Sequence, residues 1–209
     1  MAFNAYLVFN VGDNKLQIGG ESTSEVVKSL MSDIKSAKDG KGAIEVADFG
    51  FGVSMPVTAS RSDGGGATVG RANFDVFTAT KNIDTATTAL VEYCCKGTAI
   101  KRIVLHLFRQ GQGGEATGVV KYAMVVFGAC VITKVAISGS GEELPKESLE
   151  FNYGQCEYFY QLTDHDTGVP VTEVPTFKSG WSLVQNKKVT SSEKWETNKV
   201  SAPGSDSWS

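Results

Sequence analysis

Three features of this chain predict a mainly β fold, an antiparallel β-barrel with one flanking helix plus an N-terminal helical insertion. Long runs rich in Val, Ile, Phe and Tyr follow one another through the second half, one short capped helix interrupts the pattern, and 23 glycines supply the turns that many strands need. At 209 residues the chain is long enough for one domain burying roughly 70% of its unfolded surface, and no second core is required.

The first strand is Ala2 to Asn10, with Phe3, Ala5, Leu7 and Phe9 on one face. A helix is predicted next. Ser22 and Glu25 form a capping-box signature, and Val27, Leu30, Met31 and Ile34 recur at helical spacing until Lys38, Gly40 and Gly42 end the run. Ile44 to Val53 and Arg71 to Thr80 are strands on either side of a glycine-rich arm. Asp84 caps a second helix whose Ala86, Ala89, Leu90 and Tyr93 make one apolar stripe, closed by Lys96 and Gly97. Strands are then expected over Ile100 to Arg109, Val119 to Gly128, Ala129 to Ser138, Leu149 to Leu162 and Gly180 to Lys187. Ser191 to Ser209 is polar apart from Trp195 and Trp208, and a segment that buries so little apolar surface is expected to be disordered.

The arm, Ser54 to Gly70, is longer than a compact domain needs. Gly64, Gly65 and Gly66 give it backbone freedom, Pro56 stiffens its start, and Arg61 and Asp63 charge it. Fixing a structureless segment costs about 1 to 2 kcal/mol per residue, on the order of 20 kcal/mol here, which contacts must offset if the arm is ever ordered. A neighbouring subunit can supply them, by pairing the arm with a sheet edge or by seating Val57 and Val69 in a groove. Ser54, Pro56, Val57, Thr58, Arg61, Asp63, Gly64, Gly65, Gly66 and Val69 are therefore the candidate contact residues. A plain surface loop is the alternative.

Composition narrows the function further. A net charge of -3 with scattered basic residues argues against a nucleic-acid partner. The longest apolar run, Tyr122 to Ile132, is short of the ~20 residues that span a bilayer, and MAFNAYLVFNVGDNK reads as a strand, without the basic leader and cleavage site of a signal peptide. Cys94, Cys95, Cys130 and Cys156 lack C-x-x-C spacing and read as small apolar residues; the neighbours Cys94 and Cys95 point in different directions on a helix, which suits burial of one and not joint ligation. Gly111, Gly113 and Ala116 imitate a dinucleotide fingerprint, but Gly118 and a β run follow where a helix should start. His106, between Leu105 and Leu107, reads as a barrel-surface or interface residue, and His165, within Asp164-His165-Asp166, as a solvated turn. No catalytic residue, metal site or cofactor is expected, and the chain is expected not to be an enzyme.

The order of strand, glycine-rich arm, strand, capped helix and β meander resembles the haemolysin co-regulated protein (Hcp) family, the tube subunit of type VI secretion systems. FGFGVSMPVTASRSDGGGATVGRANFDVFTATKNIDTATTALVEYCCKG looks like that family's strand, arm, strand and helix, with Lys81, Asp84 and Thr85 leading into the helix. LEFNYGQCEYFYQ looks like its penultimate strand and GWSLVQNKKV, with Gly180, Trp181 and Asn186, like its closing strand. The resemblance covers most of Ile44 to Val189. Residues 22–42 lengthen the first connection, and residues 191–209 extend beyond the closing strand.

The resemblance implies a single Hcp-like domain over residues 1–190, with a polar tail over 191–209. It implies homo-hexameric rings stacked into a tube, a contractile sheath around it, a spike protein at the tip and effector cargo in the lumen. It places the protein first in the bacterial cytoplasm and then outside the cell, secreted through the type VI apparatus without a signal peptide. Residues 54–70 match the family's protruding loop, which bridges to the next ring. Ring formation needs heterologous contacts, and many weak arm contacts acting together add through high effective concentration. Two other readings stay open: a monomeric secreted binding module or effector with 54–70 as a ligand loop, and a related contractile injection machine such as a phage-tail-like particle.

Overall fold

The computed structural model describes residues 3–10, 18–22, 24, 42–58, 68–110, 119–141, 144–164, 171 and 176–189. Its strands are β1 (Phe3–Asn10), β2 (Ala43–Val46), β3 (Asp48–Gly50), β4 (Val53–Ser54), β5 (Val57–Thr58), β6 (Thr68–Val69), β7 (Asn73–Phe74), β8 (Phe77–Asn82), β9 (Ile100–Gln110), β10 (Val119–Ser138), β11 (Lys146–Asn152), β12 (Gln155–Tyr160), β13 (Phe177–Ser182) and β14 (Lys187–Lys188). The one described helix is α1 (Ala86–Lys96).

All pairings are antiparallel. One path runs β2-β1-β9-β10-β12-β13-β14 and a second runs β10-β11-β8-β3. The two share β10, whose first half pairs with β9 and β12 and whose second half pairs with β11. Their other ends, β2 and β3, are consecutive in the chain, and between them the Ala47 N–H donates to the Thr80 carbonyl at 2.8 Å. Among the described residues the hydrogen-bonded ladder does not close into a complete barrel: β2 and β3 are not paired with each other. What is formed is a pair of bent antiparallel sheets around one core, with one helix against it.

The turn of β10 from one sheet to the other has a local cause. Ala129 sits at φ 53°, in the left-handed region, and a Cβ on Gly128 before it would lie 2.6 Å from Gln155 Cγ, so that the Gln155 side chain would have to shift. Gly154 N–H donates to the Gly128 carbonyl at 2.9 Å and anchors the matching corner between β11 and β12. Sequence alone divides β10 at Gly128 and Ala129 and runs 149–162 as one strand. The structure joins the first pair and breaks the second at Tyr153 and Gly154, because the partner has to follow the bend.

The core collects the inward residues of every long strand. Ala5, Leu7 and Phe9 meet Ile103, Leu105 and Leu107, then Ala123, Val125 and Phe127, with Phe77 and Phe151 stacked at 4.4 Å between ring centroids. The stripe predicted for α1 packs here: Ala86 and Leu90 are buried, Ala89 and Tyr93 partly so. Both faces of β1, β9 and β10 are covered, for Tyr6, Val8, Val104, Phe108, Met124 and Val126 are buried as well. His106 lies on this second face, 8% exposed and beside Phe108, so it is not the surface residue its strand position implied.

Of the four cysteines, all unpaired, Cys130 is buried, Cys94 and Cys156 are half-buried and Cys95 is exposed; of the neighbouring pair on α1, Cys94 packs against the core and Cys95 faces out, in the different directions expected of them. Residues 25–41 of the helix expected within 22–42, the glycine pair of the apparent fingerprint at 111–118, His165 and the tail with Trp195 and Trp208 lie outside the described residues.

Candidate functional site

The arm is built outward from the second sheet. β3 passes through Phe51 and Gly52 into β4, and the Gly52 carbonyl accepts the Asp75 N–H at 2.9 Å. Val53 then pairs with Phe74 and Ser54 with Asn73. Two residues on, the Pro56 carbonyl accepts the Gly70 N–H at 3.0 Å, and Val57 pairs with Val69 and Thr58 with Thr68. Pro56 thus sits where a carbonyl is used and its missing N–H is not needed.

These rungs correct the expectation of a structureless arm at its two described limbs; residues 59–67 lie outside the described residues. Both limbs, 53–58 and 68–74, form a two-stranded antiparallel ribbon, which is why the uninterrupted strands expected over 44–53 and 71–80 are replaced by short paired pieces. Of the candidate contact residues, Ser54, Pro56, Val57, Thr58 and Val69 belong to this ribbon; Arg61, Asp63, Gly64, Gly65 and Gly66 lie outside the described residues. Val53, Met55 and Val57 are 63%, 49% and 57% exposed, so the ribbon carries apolar side chains into solvent.

At the foot of the ribbon lies a cleft of about 550 Å³, walled by Phe51, Val53 and Phe74 on the arm side and Tyr153, Tyr158 and Trp181 on the sheet side. Its origin is a matter of register. Phe127 pairs with Cys156, Val125 with Tyr158 and Ala123 with Tyr160, so these three β12 residues share the face of β10 that faces the core. Cys156 in turn pairs with Trp181, and Tyr160 with Phe177. The core face therefore continues past the edge of the core. Tyr158 and Tyr160 are 43% and 38% exposed, Phe177 and Trp181 57% and 37%. Sequence reasoning names Trp181 only as a mark of the closing strand and does not single out Tyr158, Tyr160 and Phe177, because the alternation of 149–162 marks a strand but cannot show that one face of it outruns its cover.

The chemistry of the cleft is that of a contact surface. Among the described residues that line it there is no carboxylate, imidazole, lysine or arginine. Its thiol, Cys156, is pushed up to about 12 by burial and the nearby Glu157 carboxylate, so at neutral pH it is protonated and a poor nucleophile. Burial also raises the Tyr153 hydroxyl, which makes it no general base. Elsewhere, His106 is lowered to about 3 by burial, with Lys121 and Arg102 adding to the effect, and it stays neutral at physiological pH. Among the described residues no group of three or more His, Cys, Asp or Glu side chains could hold a metal ion, and no helix is long and apolar enough to cross a membrane.

The described residues also contain a buried polar cluster where α1 begins. Lys81 Nζ lies 2.8 Å from Asp84 Oδ1 and 3.3 Å from Glu147 Oε2. Asp84 Oδ1 accepts the Ala86 N–H at 2.9 Å, and the Asp84 N–H donates to Thr87 Oγ1 at 3.2 Å. The cap expected at Asp84 is therefore formed, and Lys81 serves a structural purpose by locking the helix start onto β11.

Comparison with known proteins agrees with this architecture. Residues 17–160 match the family model described as Type VI secretion system effector, Hcp. Among solved structures, one described as a type six secretion system protein is similar at 23% identity and a TM-score of 0.68, covering 90% of this chain and all of its own. Hcp1 from Salmonella typhimurium is similar at 20% identity and a TM-score of 0.60, again over 90% of this chain and all of its own. A type VI secretion system effector from Yersinia pestis is similar at 18% identity and a TM-score of 0.54, over 85% of this chain and 98% of its own. At these identities the structural likenesses speak for the fold. No match to a curated protein was found.

Proposed function

The chain belongs to the Hcp family of type VI secretion, and from that premise we propose that it is a structural subunit of the inner tube of a type VI secretion system. Six copies close into a ring, rings stack, and the tube is expelled by sheath contraction with a spike at its tip and effectors in its lumen. Residues 1–190 act as the subunit body, its bent sheets standing for a barrel wall whose path starts and ends on the consecutive strands β2 and β3. The protein is made in the bacterial cytoplasm and leaves through the apparatus without a signal peptide.

The observation that carries this reading is the arm. A paired ribbon with exposed Val53, Met55 and Val57 is stiffer than a glycine loop and projects apolar side chains away from its own core. An axial neighbour covers them, and the family's ring-bridging loop occupies the same place in the chain order. Because the ribbon is already paired, less chain entropy opposes docking than a structureless arm would carry.

The test is to remove residues 60–67 and keep the Thr58–Thr68 rung. Electron microscopy is expected to show single rings that no longer stack. Tubes of normal length from this variant would refute the stacking role of the arm. The cleft of about 550 Å³ favours a second reading, a monomeric binding module, and a sizing-column mass of one chain would establish that reading instead.

A further inference from the structure

We propose that the aromatic cleft is the seat of this chain's own C-terminal segment, and that the side chain seated there is the Trp195 indole. The inference goes beyond the tube reading and does not depend on it.

The seat is set by register. Tyr158 and Trp181 wall the cleft, and with Tyr160 and Phe177 they form one aromatic strip, because cross-strand pairing places all four on a common face. Large flat side chains left open to water in this way gain from being covered. The volume of about 550 Å³ falls within the roughly 300 to 1,000 Å³ of sites that hold a small ligand. Tyr153, another wall residue, is buried, and its hydroxyl has no hydrogen-bond partner among the described residues. A flat apolar group carrying one hydrogen-bond donor suits such a site, and indole is that group.

The course of the chain delivers it. β14 sets Lys188 opposite Trp181, and one residue on the Val189 N–H donates to the Gly180 carbonyl at 3.0 Å. Gly180 lines the cleft. The last described residue is thus fastened at the rim, and residues 190–209 follow it. Trp195 stands six residues beyond Val189, and six extended residues span up to about 20 Å. Trp208 stands nineteen residues beyond, and closing the longer loop lowers its effective concentration about sixfold relative to Trp195. Charge agrees with this choice. Glu193 and Glu196 flank Trp195 with only Lys194 to offset them, and exposed Lys188 shares the face of Trp181. A tethered occupant needs no encounter with a second molecule, so it holds the seat at any protein concentration, and a partner that takes this face must first displace it.

Acrylamide quenching of full-length chains with a single tryptophan tests the assignment, with circular dichroism melts to show that each chain is folded. Trp181→Phe/Trp208→Phe reports on Trp195 alone and keeps an aromatic wall at 181; Trp181→Phe/Trp195→Phe reports on Trp208. Trp195 is expected to be quenched at least about threefold less than Trp208. Ser179 is an exposed lining residue, and adding Ser179→Glu to the first chain puts a charge where the indole sits, so quenching of Trp195 should rise to the level of Trp208. Equal quenching of the two tryptophans would overturn the proposal. Protection that survives Ser179→Glu would also overturn it, because the indole is then buried elsewhere. The last measurement separates this chain's cleft from a neighbour's: the Ser179→Glu chain is refolded together with an excess of Trp181→Phe/Trp195→Phe/Trp208→Phe, whose cleft is open and uncharged. Trp195 should stay quenched, and regained protection would assign the tail to another copy and overturn the seat within one chain.

Discussion

Lys81 and Glu147 face each other across β8 and β11 as a directly paired couple, Nζ to Oε2 at 3.3 Å, and both side chains are fully buried. The two members are not equally provided for. Lys81 also has Asp84 and the Asn82 carbonyl, each at 2.8 Å, whereas among the described residues Glu147 has only Thr87 besides, and its Oε1 has no hydrogen-bond partner. Removing the lysine therefore strands a buried carboxylate, while removing the carboxylate leaves the lysine paired. Lys81→Met is expected to cost about 3 to 5 kcal/mol and Glu147→Leu about 1 to 3 kcal/mol. Urea denaturation of the two variants and of the double variant checks this, and the double variant should be more stable than Lys81→Met alone.

Acid should destabilise the fold through His106. Its folded pKa of about 3 lies below the unfolded value, so as pH falls below about 6.5 the unfolded chain takes up a proton that the native chain refuses. Stability from this group is fully present above pH 6.5 and is lost progressively toward pH 3. Wild type should lose about 2 kcal/mol more than His106→Gln between about pH 7 and about pH 5, at about 1.4 kcal/mol per pH unit. Thermal melts at the two pH values measure the difference, and equal losses would show that His106 is protonated in the native state.

Gly97 offers a test free of packing effects. It ends α1 at φ 59° with its N–H on the Cys94 carbonyl, and a Cβ there would meet nothing within 4 Å. Any cost of Gly97→Ala is then that of holding an L-residue in the left-handed region, about 1 kcal/mol, and Gly97→Asn should cost less. Chemical denaturation of both variants distinguishes this from a neutral change.

Much of the fold is legible in the sequence because its strands and helix cap are local signals. Phe3-x-Ala5-x-Leu7-x-Phe9 alternates over one strand, and Asp84 with Thr87 marks a helix start within a single turn. What is not legible depends on partners distant in sequence. Lysine is ordinarily a surface residue, so nothing near Lys81 shows that Glu147, far along the chain, draws it inside. The second buried face carrying His106 is invisible to a pattern that assumes one wet side. The arm escapes for a related reason: glycine content at 64–66 is a local signal, whereas pairing of Val57 with Val69 depends on two limbs meeting. In the candidate site, position and length point to the ribbon residues, but nothing local points to the aromatic strip, because its exposure follows from where the core ends.

The continuity of β10 through Ala129 has a mechanical meaning under the proposed tube role, in which the subunit is pushed lengthwise. One polypeptide segment of 20 residues is laced into the ladders of β9, β12 and β11, so neither sheet can slip past the other without dragging it. Load entering at one layer is spread over many hydrogen bonds stretched together, and such a seam yields far less readily than bonds opened one after another.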